Sequence, residues 1–580
     1  MKKHQKLICI MITLVMTLGM LGGCGKETES LPEGTQSENL SGQADESGTA
    51  DEGVPEETAV SLVDFSEHET FTLWLQADSN DYYSDYSENP IVRYMNNKFN
   101  ITLEFQQPAA GTEKDALSLM FGTGEYTDLI EMSQYSGSIT ELYEEGVIID
   151  IADYLDYMPN LSRWLETDET FRKNCYSDDG HIYTLRSIRV EDELMWGGLM
   201  YRRDILDDMT DGNPSFPSGN DEPVTIEDWD YMLPLFKEYF EEAGVVEYAA
   251  FIIPSNGTFG YGELVNGFGV SSNYYYEDGK VKYGPMEDGF YNYLKKMREW
   301  YEAGYIYKDF ASRTNDMFFM PNTALTYGGT AGVWYGLTSQ LGDAMSSAEY
   351  DLNFDVQPLM SPVDSGNGIA EATALNITRY AASSDKGYAV YSGCKNIEKI
   401  LAAWDFLYSE EGGMLNEHGL TVEQGADTDP IYVKGGMQEG AYWFEDGEFV
   451  FNPLLAVSGG TIDESAFIGI RLTGFHNNYY RIRASSELTK LASEKWTAYS
   501  NPNKDKLPVA LSYEVEEENI LADNNVLIRD YVKTMVPKFI MGTETLDDEA
   551  WEKFQAQLVS YGVEEAIQIQ QEAYDRYMNR

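Results

Sequence analysis

The order of apolar patterns between Phe71 and Met132 sets the strongest limit on what this chain can fold into. Phe71-Thr-Leu-Trp-Leu-Gln76 is a strand-like apolar run, and Asn89-Pro90 opens a helix in which Ile91, Met95 and Phe99 recur four apart. Ile101 to Phe105 alternates apolar with polar residues as a second strand. Thr112-Glu-Lys-Asp115 reads as a capping box ahead of Ala116, Leu117, Leu119 and Met120, and Thr127 to Met132 makes a third strand. Strand, helix, strand, helix, strand predicts an α/β fold with a parallel sheet, because parallel neighbours need a long crossover that a helix supplies. Ligands of such sheets collect outside the carboxyl ends of the strands, which directs attention to the loops after Gln76 and Met132.

Farther along, Asp179-Gly180, Asp278-Gly279 and Asp446-Gly447 each lie between aromatic or β-branched residues and predict hairpin turns. Their irregular spacing gives no internal repeat. Near the end, Trp551, Phe554 and Leu558 mark one helical stripe, Gly562 a stop, and Val563, Ile567 and Tyr574 a second stripe, so a helical hairpin is expected. Trp74, Trp404 and Trp551 fall on apolar stripes and are expected in the core.

The first residues have a separate role. Lys2, Lys3 and Lys6 precede an uncharged stretch from Leu7 to Leu21 that ends in Leu21-Gly22-Gly23-Cys24. This is the pattern of an export signal, shorter than the roughly 20 apolar residues of a spanning helix. It closely resembles the bacterial lipobox, which implies cleavage after residue 23 and a diacylglycerol on Cys24. From residue 24 to 64 the chain is rich in Glu, Asp, Ser, Gly and Thr and too poor in apolar side chains to fold, so it is expected to be a disordered acidic tether reaching about 35 Å. Two acyl chains would hold the body stably at the outer face of the cytoplasmic membrane.

Composition removes whole classes of function. With 98 acidic against 40 basic residues the formal charge is −58, which repels nucleic acid and anionic lipid alike. Four cysteines exclude a disulfide-built scaffold; Cys175 and Cys394 are read either as an extracellular pair or as two buried thiols. The histidines after the leader, His68, His181, His418 and His476, form no His-Glu-x-x-His, and no Gly-x-Ser-x-Gly elbow, P-loop or Cys-x-x-Cys occurs. Paired carboxylates of a surface glycoside hydrolase or lyase remain an alternative, because so many acids are present.

Several stretches together resemble the family 1 extracellular solute-binding lipoproteins of ABC importers, the large oligosaccharide-binding relatives of maltose-binding protein. They are the lipobox, Gly122-Thr-Gly-Glu-Tyr-Thr-Asp-Leu-Ile130, Glu145-Gly-Val-Ile-Ile-Asp150, Asp179-Gly-His-Ile-Tyr-Thr-Leu185, Met200-Tyr-Arg-Arg-Asp-Ile-Leu206, Thr323-Ala-Leu-Thr-Tyr-Gly-Gly329, Ile397 to Leu407, and the tail from Lys538 to Tyr577. The resemblance implies a two-lobed periplasmic-binding-protein-like α/β fold, with strands crossing between the lobes and a ligand cleft that closes about the hinge. It implies a first lobe of residues 65–190 and 370–440 and a second of 191–369 and 441–580, with crossings near 186–199 and 370–379. Its implied partners are an oligosaccharide and ABC transporter permease subunits, with no catalysis and no cofactor. A peptide-binding receptor of the same fold, or one presenting its ligand to a membrane sensor, is the alternative among binders. Some large relatives carry a calcium loop, but Asp211-Gly-Asn213 and Asp221-Glu222 lack its regular spacing and closing Glu, so no metal is expected.

A sugar offers an apolar ring face edged by hydroxyls, which calls for aromatic platforms beside hydrogen-bonding side chains. Asp78 and Asn80 after the first strand and Gln134 after the third match polar ligand contacts of the family. Trp334 and Tyr335 follow the Gly328-Gly329 turn where the family presents a stacking Trp, and Phe259 and Tyr261 lie in a Gly-rich loop resembling another platform. Trp196 near the first crossing, Arg202 in the Tyr-Arg-Arg-Asp motif and His476 in Gly474-Phe-His-Asn-Asn478 complete the expected ligand-binding set.

Overall fold

The computed structural model describes residues 62–75, 82–189, 194–195, 197–253, 264–312, 323–341, 354–370, 386–456, 461–462, 467, 472–497 and 503–580. Strands β1 (Glu69–Trp74), β2 (Ile101–Gln106) and β3 (Leu129–Glu131) are parallel, with β1 between the other two. The helix Pro90–Phe99 makes the first crossover. Asn89 accepts hydrogen bonds from the amides of Ile91 and Val92, Pro90 occupies the first helical position, and Asn100 ends the helix at φ 47°. Ile91, Met95 and Phe99 are all buried, as their spacing requires. The next helix, Glu113–Thr123, forms without the expected capping box. The Thr112 hydroxyl donates to the Ala109 carbonyl at 2.7 Å, closing the preceding turn instead of accepting from the helix.

Strand β4 (Ile188–Arg189) leads toward a second sheet that contains β5 (Gly197–Arg202) and β6 (Ala249–Phe251). β7 (Tyr274–Glu277) and β8 (Lys280–Tyr283) form a hairpin in which Asp278 and Gly279 both take positive φ, 51° and 76°. β9 (Ala331–Leu337) and β10 (Val356–Pro358) complete the second sheet in the order β10-β5-β9-β6, with only the β6–β9 pair parallel. β11 (Tyr388–Val390) runs antiparallel to β3, giving β11-β3-β1-β2 in the first sheet. β12 (Tyr442–Glu445) and β13 (Glu448–Phe451) turn at Asp446-Gly447, again with both φ values positive. β14 (Phe475–His476) pairs in parallel with β4, and β15 (Lys504–Lys506) runs antiparallel to β7. Asp179-Gly180 does not join two strands. The turn there is closed on itself by Ser177 N donating to His181 O at 2.8 Å, so the aromatic neighbours never pair.

Successive strand residues point to opposite faces, and the central stretches Leu73-Trp74 of β1 and Leu199 to Tyr201 of β5 are apolar on both faces because both are covered there, whereas the edge strand β2 alternates apolar with polar residues. In β1, Leu73 packs into the first core with Val92 and Leu401, while Trp74 packs on the other face with Leu117 and Ile148. In β5, Leu199 and Tyr201 face a core shared with Trp229, Trp300 and Phe554, while Met200 faces Trp334 and Trp496. These sheets are the centres of two α/β lobes. Trp74, Trp404 and Trp551 are buried. Cys175 and Cys394 are buried in the first core and are not joined in a disulfide, and burial pushes the Cys394 pKa up to about 12. No helix among the described residues is long and apolar enough to cross a membrane.

The chain passes from the first core to the second between Ile188 and Leu199 and returns between Leu359 and Tyr388. The expected lobe boundary at 440/441 needs correction. Tyr442, Phe451, Leu472 and Phe475 pack in the first core, because the β12–β13 hairpin lays its rings against His418, and Trp404 Nε1 donates to Thr473 O at 2.9 Å. A further passage therefore follows Phe475, ending where Ala492 and Trp496 join Trp334. The last helix, Val563–Met578, packs Val563, Ala566 and Ile569 into the second core, yet its end reaches the first lobe. Tyr577 donates to Asn174 at 3.0 Å, and Arg576 and Arg580 both donate to Asp178, at 2.9 and 2.6 Å.

Candidate functional site

The carboxyl ends of β1 and β3 and the start of β11 form one rim of the first sheet. Met132 N donates to Gly387 O at 3.0 Å, so the loop after β3 runs beside the approach to β11. Gln134 lies in that loop, half-buried, and the neighbouring Tyr135 carbonyl accepts from Lys386 Nζ. The Tyr135 ring stands 4.6 Å from that of Phe121, and burial, ahead of the nearby Glu141 charge, pushes its hydroxyl pKa up to about 12. Glu131 is held by Ser133, whose amide and hydroxyl each donate at 2.8 Å. Glu518, in the first turn of the helix Val515–Ile540, faces the same rim from an element whose Leu521, Ile528 and Val532 belong to the second core. Burial raises the Glu518 pKa, opposed by a hydrogen bond from Ser138 and the charge of Lys386.

In the second sheet the corresponding rim joins the start of β5 to the ends of β6 and β9. Ile252 N extends the β6–β9 pairing by donating to Val333 O at 2.9 Å, and Gln340 Oε1 accepts from Leu337 N at 3.2 Å. Gly198 is required here for close approach. A Cβ at that position would lie 2.2 Å from Trp496 Cδ2, and the indole Nε1 of Trp496 donates to Leu199 O at 3.0 Å.

The expected ligand residues divide into three groups. Gln134 sits at the strand-end rim, as anticipated. Asp78, Asn80, Trp196, Phe259, Tyr261 and the lipidation residue Cys24 lie outside the described residues. The remaining four are enclosed by the protein itself. Trp334 is 1 % exposed and packs among Met200, Ala331, Val356 and Trp496, so the position expected to be a platform is core, with the helix Glu487–Thr497 supplying the cover. Tyr335, its neighbour on the opposite strand face, is also buried and crowds Gly197. Arg202 is 4 % exposed; its guanidinium makes a two-pronged bond to Asp204 at 2.8 and 2.6 Å, donates to Gly329 O and lies 3.5 Å over the Phe354 ring. His476 is buried in the β4–β14 pair with Nδ1 3.3 Å from Glu417, whose carboxylate also faces Arg481 at 3.0 Å. Such interactions commit Arg202 and His476 to holding the fold.

Two rim residues escaped the sequence reading. Tyr135 directly follows Gln134 and was within reach of the strand-end rule; Lys386 becomes part of the rim only through the β3–β11 pairing. The arrangement supplies an amide, an aromatic ring and an ammonium group at one sheet edge. It has the polar and aromatic components that recognise a polyhydroxylated ligand.

A family model described as bacterial extracellular solute-binding protein matches residues 91–409. The fructooligosaccharide ABC transporter substrate-binding protein FusA of Streptococcus pneumoniae serotype 4 is 22% identical over 460 residues, which cover 75% of this chain and 77% of that protein. Lipoprotein LipO of Bacillus subtilis strain 168 is 23% identical over 314 residues, 53% of this chain and 58% of LipO. Among solved structures, an HMO-binding ABC-transporter-associated solute-binding protein from Bifidobacterium longum infantis superposes with a TM-score of 0.67 at 17% identity, covering 88% of this chain and 99% of that one. At that identity the superposition shows the fold.

Proposed function

Because this chain belongs to the bacterial extracellular solute-binding proteins, a family of non-catalytic receptors, we propose that it is the substrate-binding component of an ABC importer and captures an oligosaccharide between its lobes. The observation that carries this reading is the facing of a strand-end rim by an element of the other lobe, Glu518 beside Tyr135 and Lys386, in a chain whose relative FusA is a fructooligosaccharide-binding importer component. Hinge closure would bury the sugar between the rims and present both lobes to the permease subunits. Gln134, with Asp78 and Asn80 on the first lobe and Trp196, Phe259 and Tyr261 on the second, would line the cleft. A lipid on Cys24 and the acidic tether to residue 64 would keep the body at the outer face of the cytoplasmic membrane, in keeping with the likeness to LipO.

Thermal melting of the purified protein against neutral and acidic oligosaccharides and short peptides tests this, because a ligand of the native state raises the melting temperature. A rise with at least one oligosaccharide class and none with peptides is expected. A peptide response with silence from every glycan would overturn the ligand class.

A further inference from the structure

The chain leaves the first lobe after β14 on the side of the strand-end rim. β11 runs antiparallel to β3, and Leu185 bridges Tyr388 in the antiparallel sense, so the chain from Leu185 into β4 runs in the direction of β1 and β3. β14 is parallel to β4 and therefore ends at the same rim as the carboxyl ends of β1 and β3. The helix Tyr479–Ala484 begins just beyond it, on the way to the helix Glu487–Thr497 that covers the second sheet. Side chains of this short helix thus stand between the two lobes, where the strand-end rule places a ligand.

The β12–β13 hairpin leans its rings on that helix. Phe449 stacks on Tyr480 with centroids 4.5 Å apart and planes at 11°, and Phe444 meets both rings edge-on at 5.6 Å. Tyr479 stands at 82° to Tyr480, with the Arg483 guanidinium 3.1 Å over its ring. Phe444 is held by these neighbours yet remains 53 % exposed. Tyr479 and Tyr480 are half-buried, and among the described residues their hydroxyls make no hydrogen bond. A phenol both donates and accepts, so each has capacity for a ligand hydroxyl. Burial, then the charge of Glu410, raises the Tyr480 pKa and keeps that hydroxyl a donor. An open apolar ring beside unpartnered phenols is the combination that a sugar ring requires, and Trp334, withdrawn into the core, does not supply it. The hairpin tip carries the exposed acids Glu445, Asp446 and Glu448, which repel an anionic ring.

We propose that Phe444, Tyr479 and Tyr480 form a ledge at the interlobe passage that receives one uncharged ring of the bound glycan, Phe444 stacking on its C–H face while the two phenols bond its hydroxyls. The assignment rests on the oligosaccharide-binding reading above and adds residues to that same site. Calorimetric titration of the intact protein with neutral trisaccharides of glucose, mannose, galactose and fructose, beside the glucuronate, mannuronate and galacturonate trimers, tests it. At least one neutral trisaccharide is expected to bind more tightly than every uronate. Phe444→Ala should weaken its binding about tenfold through the lost stacking face. Tyr479→Phe and Tyr480→Phe, which keep the rings and remove only the hydroxyls, should each weaken it about threefold to tenfold. All three variants should melt close to the parent without ligand, and the two conservative ones keep the outcome decidable if Phe444→Ala fails to fold. Unchanged affinity in the variants, or uronates binding as tightly as the neutral sugars, would overturn the ledge and leave the oligosaccharide reading standing. Absence of binding by every sugar to the parent protein would overturn both.

Discussion

Trp334→Ala separates a core role from a ligand role at the position where the family resemblance places a stacking ring. The indole is 1 % exposed and enclosed by Met200, Ala331, Val356, Ala492 and Trp496. Truncating a buried Trp to Ala costs roughly 3–5 kcal/mol in lost contacts and cavity formation. Among the described residues the indole Nε1 has no acceptor, and removing an unsatisfied buried donor returns about 1 kcal/mol, so a net loss of about 3 kcal/mol is expected. With a urea dependence on the order of 3 kcal/mol per molar, the unfolding midpoint should fall by about 1 M. Trp334→Phe retains most of the apolar contact and also removes the unpaired N–H, so its midpoint should move by less than half as much. Both variants are measured by equilibrium urea unfolding without ligand, followed by ligand titration of the folded fraction. An unchanged midpoint for Trp334→Ala together with abolished sugar binding would refute the packing argument and restore the platform.

Asp405 gives the protein a defined pH response. It is fully buried and caps the helix Pro159–Thr167, accepting from Asn160 N at 3.1 Å, Asn160 Nδ2 at 2.9 Å and Leu161 N at 2.9 Å. Burial outweighs these bonds and raises its pKa to about 6 from 3.8, so the native state holds the proton more tightly than the unfolded chain. Stability from this group is therefore full below pH 4, declines as pH rises to about 6 and is then level, a span of roughly 3 kcal/mol. The stability advantage of the parent over Asp405→Asn should shrink across that window, and parallel pH profiles for the two would contradict it. Asp178→Ala should cost about 2 kcal/mol in urea unfolding, less than the loss of a fully buried pair, because Arg580 keeps the Lys173, Tyr176 and Ala510 carbonyls and Arg576 keeps Glu517. An unchanged midpoint would mean that the end of the last helix contributes nothing to joining the lobes.

Local patterns carried several individual elements well. The Asn89-Pro90 start and the four-residue recurrence of Ile91, Met95 and Phe99 define a helix without reference to anything distant, and Asp278-Gly279 and Asp446-Gly447 encode their turns through positive φ. Two local readings failed within their own turns, at Thr112 and at Asp179-Gly180, and the other failures came where long-range contacts decide. Arg202 and Trp334 have residue types that suit a sugar site, but whether they face ligand or core depends on Phe354, Asp204 and Trp496, the last more than a hundred residues away in sequence. The passage after Phe475 was invisible because a two-residue strand has no periodicity, and its parallel partner Ile188 lies far upstream. Lys386 reads as an ordinary surface lysine until β11 is placed beside β3.

The most direct test of the central claim is calorimetric titration of the purified protein with the oligosaccharide that most raises its melting temperature, with mass analysis of the sugar recovered afterwards. The account predicts saturable binding of one sugar per chain and recovery of the ligand at its original length. Progressive appearance of shorter or unsaturated sugars, or heat that does not saturate, would contradict a non-catalytic receptor that captures an intact glycan between two lobes.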